Sequence, residues 1–134
     1  MDARIRTVIH ECSRVSDESR ESFPVVVAKL IEAGIERYHA DLVRSEKTYY
    51  VSNGDSEIVP NSKIGIEPAK AFSAEGVEAA VRAAQAGAIP YRTFCERVLT
   101  AGCVGYHVSM TGRRVVYYGR TGDSHVEWFP GQQD

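Results

Sequence analysis

The feature that most restricts the fold of this 134-residue chain is a repeat within its own sequence. When the sequence is shifted by 68 positions, residues 23–56 align without a gap to residues 91–124, with nine identities in 34 positions. The identities fall in short groups, and Tyr38-His39, for example, meets Tyr106-His107. Because apolar residues match between the groups as well, the alignment predicts two tandem copies of one structural unit.

Each copy is predicted to begin with two amphipathic helices. Apolar residues recur at three- and four-residue spacing from Ile5 to Val15, which places them on one helical face. The matching segment of the second copy is Ser73–Ala86, where the serine is a natural N-cap. The second helix of each copy ends at Gly34 or Gly102, in the position that favours a left-handed residue.

A meander of three strands is predicted to follow in each copy. Residues 35–43 place Tyr38, Ala40 and Leu42 on one face of the sheet and His39, Asp41 and Val43 on the other. Asn-Gly at 53–54 is a strong hairpin signal, and short third strands are expected at 57–59 and 125–128. Residues 63–66 are a candidate extension of the sheet before a linker near Pro68.

These elements predict a single α+β domain over residues 1–134, with repeat units at about 3–67 and about 73–130. Antiparallel sheets commonly pack one face against helices and leave the other open. We therefore expect a six-stranded antiparallel sheet with four helices on one face and pseudo-two-fold symmetry.

Composition excludes several classes of protein. The net charge of −2 gives no overall attraction to nucleic acid or to an anionic membrane. The first residues lack the apolar core of a signal peptide, and no apolar run approaches the ~18 residues of a membrane span. Three cysteines without a CxxC pair encode neither a disulfide framework nor a zinc knuckle. We expect a cytoplasmic protein without a cofactor or resident metal.

Three segments of the chain, 38–50, 91–97 and 101–108, resemble a family of small bacterial proteins. It is the YdfO/YbcV-like family, a domain of unknown function whose members are often encoded in prophages. The resemblance extends from about Phe23 onward, and the string Tyr-x-Thr-Phe-Cys at 91–95 is fairly specific to it. It implies no activity, cofactor or catalytic residue.

The candidate chemistry lies on the predicted open face of the sheet. His39 and Asp41 share a strand face, and the repeat relates His39 to His107, so two imidazoles and a carboxylate could bind a divalent metal or supply a general base. A His-x-Asp pattern on a solvated strand is, however, commonly inert. The second copy also has Ser109 where the first has Asp41, so the site would not be symmetric.

The tyrosine pairs at 49–50 and 117–118 direct one ring to each face of the sheet, and we take Tyr49 and Tyr117 as candidate binding residues. Arginines near the second pair resemble a single-strand nucleic-acid surface, but the first copy lacks them, so nucleic-acid binding is not expected. Cys95 lies on an apolar helical stripe and is predicted to be a core residue rather than a nucleophile.

The leading hypothesis is a non-enzymatic binding or regulatory module that uses the open sheet face for homodimerisation or for docking a protein partner. The alternative is a small-molecule or divalent-metal enzyme that uses His39, Asp41 and His107.

Overall fold

The computed structural model describes residues 1–131, and this part of the chain contains four α-helices and one six-stranded sheet. The helices are α1 (Ala3–Asp17), α2 (Phe23–Glu32), α3 (Ala74–Gln85) and α4 (Tyr91–Thr100). The strands are β1 (Ile35–Asp41), β2 (Glu46–Val51), β3 (Ser56–Pro60), β4 (Cys103–Ser109), β5 (Arg114–Gly119) and β6 (Ser124–Trp128). The predicted α+β class is confirmed.

The helix ends follow the local chemistry of the sequence. The side chain of Ser73 accepts a hydrogen bond from the backbone N–H of Gly76 (3.0 Å) and so caps α3. Gly34 and Gly102, which follow α2 and α4, have φ of 91° and 89°. This left-handed conformation turns the chain from each helix into a strand. Glycine adopts it at little steric cost, because it has no Cβ atom.

The sheet is antiparallel throughout, in the order β3-β2-β1-β4-β5-β6. The first strands of the two meanders, β1 and β4, pair at its centre, where His39 is opposite His107. Each pairing within the first meander recurs 68 residues later, as Tyr38↔Tyr49 does in Tyr106↔Tyr117. The two meanders therefore have the same strand register. That they arose by duplication of one sequence stays a prediction.

The core lies between the helices and one face of the sheet. Each helix contacts a strand, in the pairs α1 with β3, α2 with β1, α3 with β6 and α4 with β4. Buried strand residues alternate with partly exposed ones, so Tyr38 and Ala40 are enclosed while His39 and Asp41 face outward. The opposite face carries no helix from the described residues, which leaves it open.

The connection between the two halves differs from expectation. Residues 63–66 were predicted as a candidate extension of the sheet, but this prediction is wrong, because residues 61–70 form no strand. Edge strand β3 ends at Pro60, and just beyond it the N–H of Asn61 donates to the carbonyl of Ser45 (2.7 Å). The connection then crosses the end of α4, where the N–H of Ala69 donates to the carbonyl of Leu99 and that of Ser73 to Ala101.

No helix within residues 1–131 has the length and apolar character that crossing a lipid bilayer requires.

Candidate functional site

The open face of the sheet is built from the outward side chains of all six strands. Its central row runs across the sheet, because the strand registers place these residues opposite one another. In order, the central row is Ile58, Thr48, His39, His107, Val116 and Val126. Its outer ends are apolar and exposed, since Ile58 is 58% and Val126 42% accessible. The centre of the row is a pair of imidazoles.

The two imidazoles are in contact. The rings of His39 and His107 stack with their centroids 4.4 Å apart at an interplanar angle of 25°. The hydroxyl group of Tyr118 forms a 2.6 Å hydrogen bond with His39 Nε2, and its ring also lies against both imidazoles. Gly105 makes this possible, since a Cβ atom there would lie 2.5 Å from the Tyr118 oxygen. The cluster is therefore aromatic and internally hydrogen-bonded.

Both imidazoles favour the neutral form. Burial lowers the pKa of His39, and the carboxylates of Asp41 and Glu46 oppose that change. Burial also lowers the pKa of His107, and the charges of His39 and Arg37 act in the same direction. Neutral imidazoles are easier to remove from water than charged ones, so the centre of the open face is suited to being covered.

Two further rows flank the central row and differ in charge. One contains Arg37 and Arg114, whose guanidinium carbons lie over the rings of Tyr50 and Trp128, 3.7 Å and 4.2 Å from the ring centres. We call this row the basic edge. The row on the other side contains the two carboxylates of Asp41 and Glu46, and we call it the acidic edge.

The three residues of the alternative hypothesis, His39, Asp41 and His107, do not form a metal-binding set. Asp41 Oδ1 accepts hydrogen bonds from the backbone N–H groups of Val43 (3.0 Å) and Arg44 (2.9 Å), so this carboxylate stabilises the turn after β1. The neighbour of the His39 nitrogen is instead the phenol of Tyr118. The histidine pair is thus assembled across the sheet as the repeat suggests, but without a carboxylate ligand. This geometry does not favour the enzyme alternative.

Within the part of the chain that the structure describes, a different group of possible metal ligands lies between α3 and β6 and consists of Glu78, His125 and Glu127. The guanidinium of Arg82 contacts both carboxylates, at 2.9 Å from Glu127 and 3.7 Å from Glu78. An arginine thus already supplies the positive charge that these carboxylates require.

Tyr49 and Tyr117 lie on the helix-covered face and not on the open face. They are 2% and 7% exposed, so neither can contact a partner at the open face. The rings that do lie there are Tyr50 and Tyr118, one position later in each pair. The register explains this, because Tyr49 is opposite the inward-facing Tyr38 and opposite residues share a face. Strand alternation could have identified the correct ring of each pair.

All three cysteines are core residues, which confirms the prediction made for Cys95. Cys12, Cys95 and Cys103 are free and buried, with exposures of 1%, 0% and 0%. Burial raises the pKa of Cys95 and of Cys103 to about 11, which keeps both thiols protonated and unreactive at neutral pH.

Comparison with models of protein families matches residues 9–126 to DUF1398, described as a protein of unknown function. No curated protein matches the chain. The narrower YdfO/YbcV name and the association with prophages stay predictions.

Proposed function

The chain belongs to the DUF1398 family of proteins of unknown function, and we propose that this member is a non-enzymatic interaction module whose open sheet face binds a second copy of itself. The observation that carries the proposal is the arrangement of the open face in three rows, with an apolar and imidazole row between a basic and an acidic edge.

This arrangement is complementary to itself in one orientation. A two-fold axis along the central row places that row against its own copy and lays each basic edge over an acidic edge. A two-fold axis parallel to the strands would instead place like charges together, which is unfavourable. Arg44 lies 2.6 Å from Glu46 and partly neutralises the acidic edge. We therefore assign most of the stabilisation to the central row and the choice of orientation to the charges.

The size of the face sets the expected affinity. Six strands about 4.8 Å apart and five residues of about 3.3 Å give a footprint of roughly 24 by 17 Å. This is smaller than the roughly 800 Å² per partner of a standard interface. We therefore expect a reversible homodimer with a dissociation constant on the order of micromolar to tens of micromolar, and not a permanent one.

The first experiment tests whether the central row is the interface. Sedimentation velocity of the wild-type protein over a range of concentration should show a reversible monomer–dimer equilibrium. Ile58→Asp and Val126→Asp should each abolish the dimer, since each buries an unpaired carboxylate. Ile31→Asp is the matched control, because Ile31 is 51% exposed but lies on α2. A monomeric wild-type protein, or a dimer that persists in both central-row variants, would refute the proposal.

The second experiment tests the orientation. In the proposed dimer Thr48 lies on the two-fold axis, about 10 Å from Thr48 of the second copy across the two sheets. A bismaleimide of about 10 Å span should therefore join two copies of Thr48→Cys but not of Ser56→Cys, which lies in a flanking row. The natural cysteines are buried and should not react. Cross-linking of both variants to the same extent would contradict this orientation.

A further inference from the structure

A second candidate site lies on the other side of the sheet, beneath the helices. A cavity of about 830 Å³ opens between the N-terminal end of α2, the α3–α4 connection and the inward face of the sheet. Both halves of the chain contribute to it. Its aromatic wall is formed by Phe23, Tyr38, Tyr91, Phe94, Tyr106 and Tyr117. The volume lies within the range of about 300–1,000 Å³ that is usual for small-molecule sites.

Two phenol groups in this cavity lack a protein partner. Tyr38 and Tyr117 are 5% and 7% exposed, and neither hydroxyl group forms a hydrogen bond with another residue of 1–131. By contrast, the hydroxyl groups of Tyr91 and Tyr106 bond each other at 2.8 Å. Among the described residues, Asn61 Oδ1 is the side-chain polar atom that is both fully buried and without a partner. The hydroxyl groups of Tyr38 and Tyr117 are not in that class, so each retains some accessible surface, and both residues line the cavity.

The charged groups around the cavity already have partners. Arg20 pairs with Glu18 at 2.8 Å, and Glu21 pairs with Lys29 at 2.8 Å. The remaining carboxylate, that of Glu127, is held by Arg82 and His125. No charged residue that lines the cavity is therefore free to pair with a charged ligand, which would have to leave water unfavourably. The cavity therefore suits a neutral molecule.

We infer that this cavity binds an uncharged, planar aromatic molecule of two or three rings that carries a carbonyl or ring-nitrogen acceptor. The aromatic wall supplies stacking and edge contacts to the rings. Tyr38 and Tyr117 donate hydrogen bonds to the acceptor, and burial raises the pKa of both phenols, which keeps them protonated. The site is separate from the open face, because the sheet lies between them.

The test compares two probes of nearly the same shape. Coumarin is neutral, planar and two-ringed and carries a carbonyl acceptor, whereas naphthalene lacks the acceptor. Equilibrium dialysis measures the affinity of each probe directly and needs no reporter side chain. Coumarin should bind in a saturable manner, and naphthalene should bind about fivefold or more weakly.

Matched variants assign the hydrogen bonds. Tyr38→Phe and Tyr117→Phe keep each ring, and at least one of them should weaken coumarin binding about fivefold while leaving naphthalene unchanged. Tyr50→Phe on the open face is the control and should leave both probes unaffected. The inference is overturned if coumarin does not bind, or if the two probes bind equally. It is also overturned if both cavity variants, shown to be folded by circular dichroism, bind coumarin as the wild type does. Ile58→Asp should abolish the dimer but leave coumarin binding unchanged. Failure of the cavity proposal and failure of the dimer proposal can therefore be distinguished.

Discussion

Lys47 is an ionisable residue in a place where a charge is unfavourable. It faces the helices from β2 and is 1% exposed, with its ammonium nitrogen 4.7 Å from the centre of the Tyr91 ring and 6.0 Å from that of Tyr38. No carboxylate of residues 1–131 forms a salt bridge with it, and the charge of Asp17 opposes the effect of burial only from a distance. Burial lowers the pKa of Lys47 from 10.5 to about 8.

The sign of the pH effect follows from this direction. Between about pH 8 and pH 10.5 the unfolded chain keeps a proton on Lys47 that the folded protein has released, so this residue makes stability rise with pH. Below pH 8 the difference of about 2.5 pKa units corresponds to a penalty of about 3 kcal/mol. Buried thiols and phenols with raised pKa values act in the opposite direction at alkaline pH, so the wild-type profile alone would not isolate Lys47.

The perturbation that isolates it is Lys47→Met, which keeps the length of the side chain and removes the charge. The fold accepts an apolar residue here, because Val115 occupies the matching position of the second half. Urea unfolding should find the variant more stable at pH 7, and this advantage should shrink by about 2 kcal/mol by pH 9.5. Lys63→Met, at an exposed position, should show a difference that does not change with pH. A pH-independent difference for Lys47→Met would refute the reasoning.

Three further outcomes are expected. Gly102→Ala should destabilise the fold by about 3 kcal/mol or more in chemical denaturation, because φ is 89° and a Cβ atom would lie 2.2 Å from a backbone carbonyl oxygen. Gly122→Ala is the control: its φ of 87° is similar, but the space around it is open, so this variant should cost only about 1 kcal/mol in the same assay. Gly105→Ala should cost about 1–3 kcal/mol by the same assay and should displace the phenol from His39, visible as a changed pKa of that imidazole in an NMR titration. The homodimer should dissociate as pH falls from 8 to 5, since protonating His39 and His107 places charge in the interface, and a dimer that persists at pH 5 in sedimentation would contradict this.

Much of the fold could be predicted because the relevant signals are local. Periodic apolar residues, the serine cap at Ser73 and the glycines after α2 and α4 depend on neighbours a few residues away, and each appears where expected. Strand alternation likewise assigned His39 and Asp41 to the open face. The prediction for residues 63–66 failed because a short apolar segment is ambiguous, and because contacts with the end of α4 determined its path.

The sequence by itself determined that the chain forms helices followed by meanders in two similar halves, with His39 and Asp41 outward and the cysteines in the core. Only the tertiary structure decided that His39 stacks on His107, that Asp41 holds a turn instead of joining them, and that aromatic residues from both halves enclose a cavity. The reason is that no turn joins β1 to β4, so packing of the whole sheet against its helices fixes their register. Contacts between residues 68 positions apart are outside the reach of any local pattern.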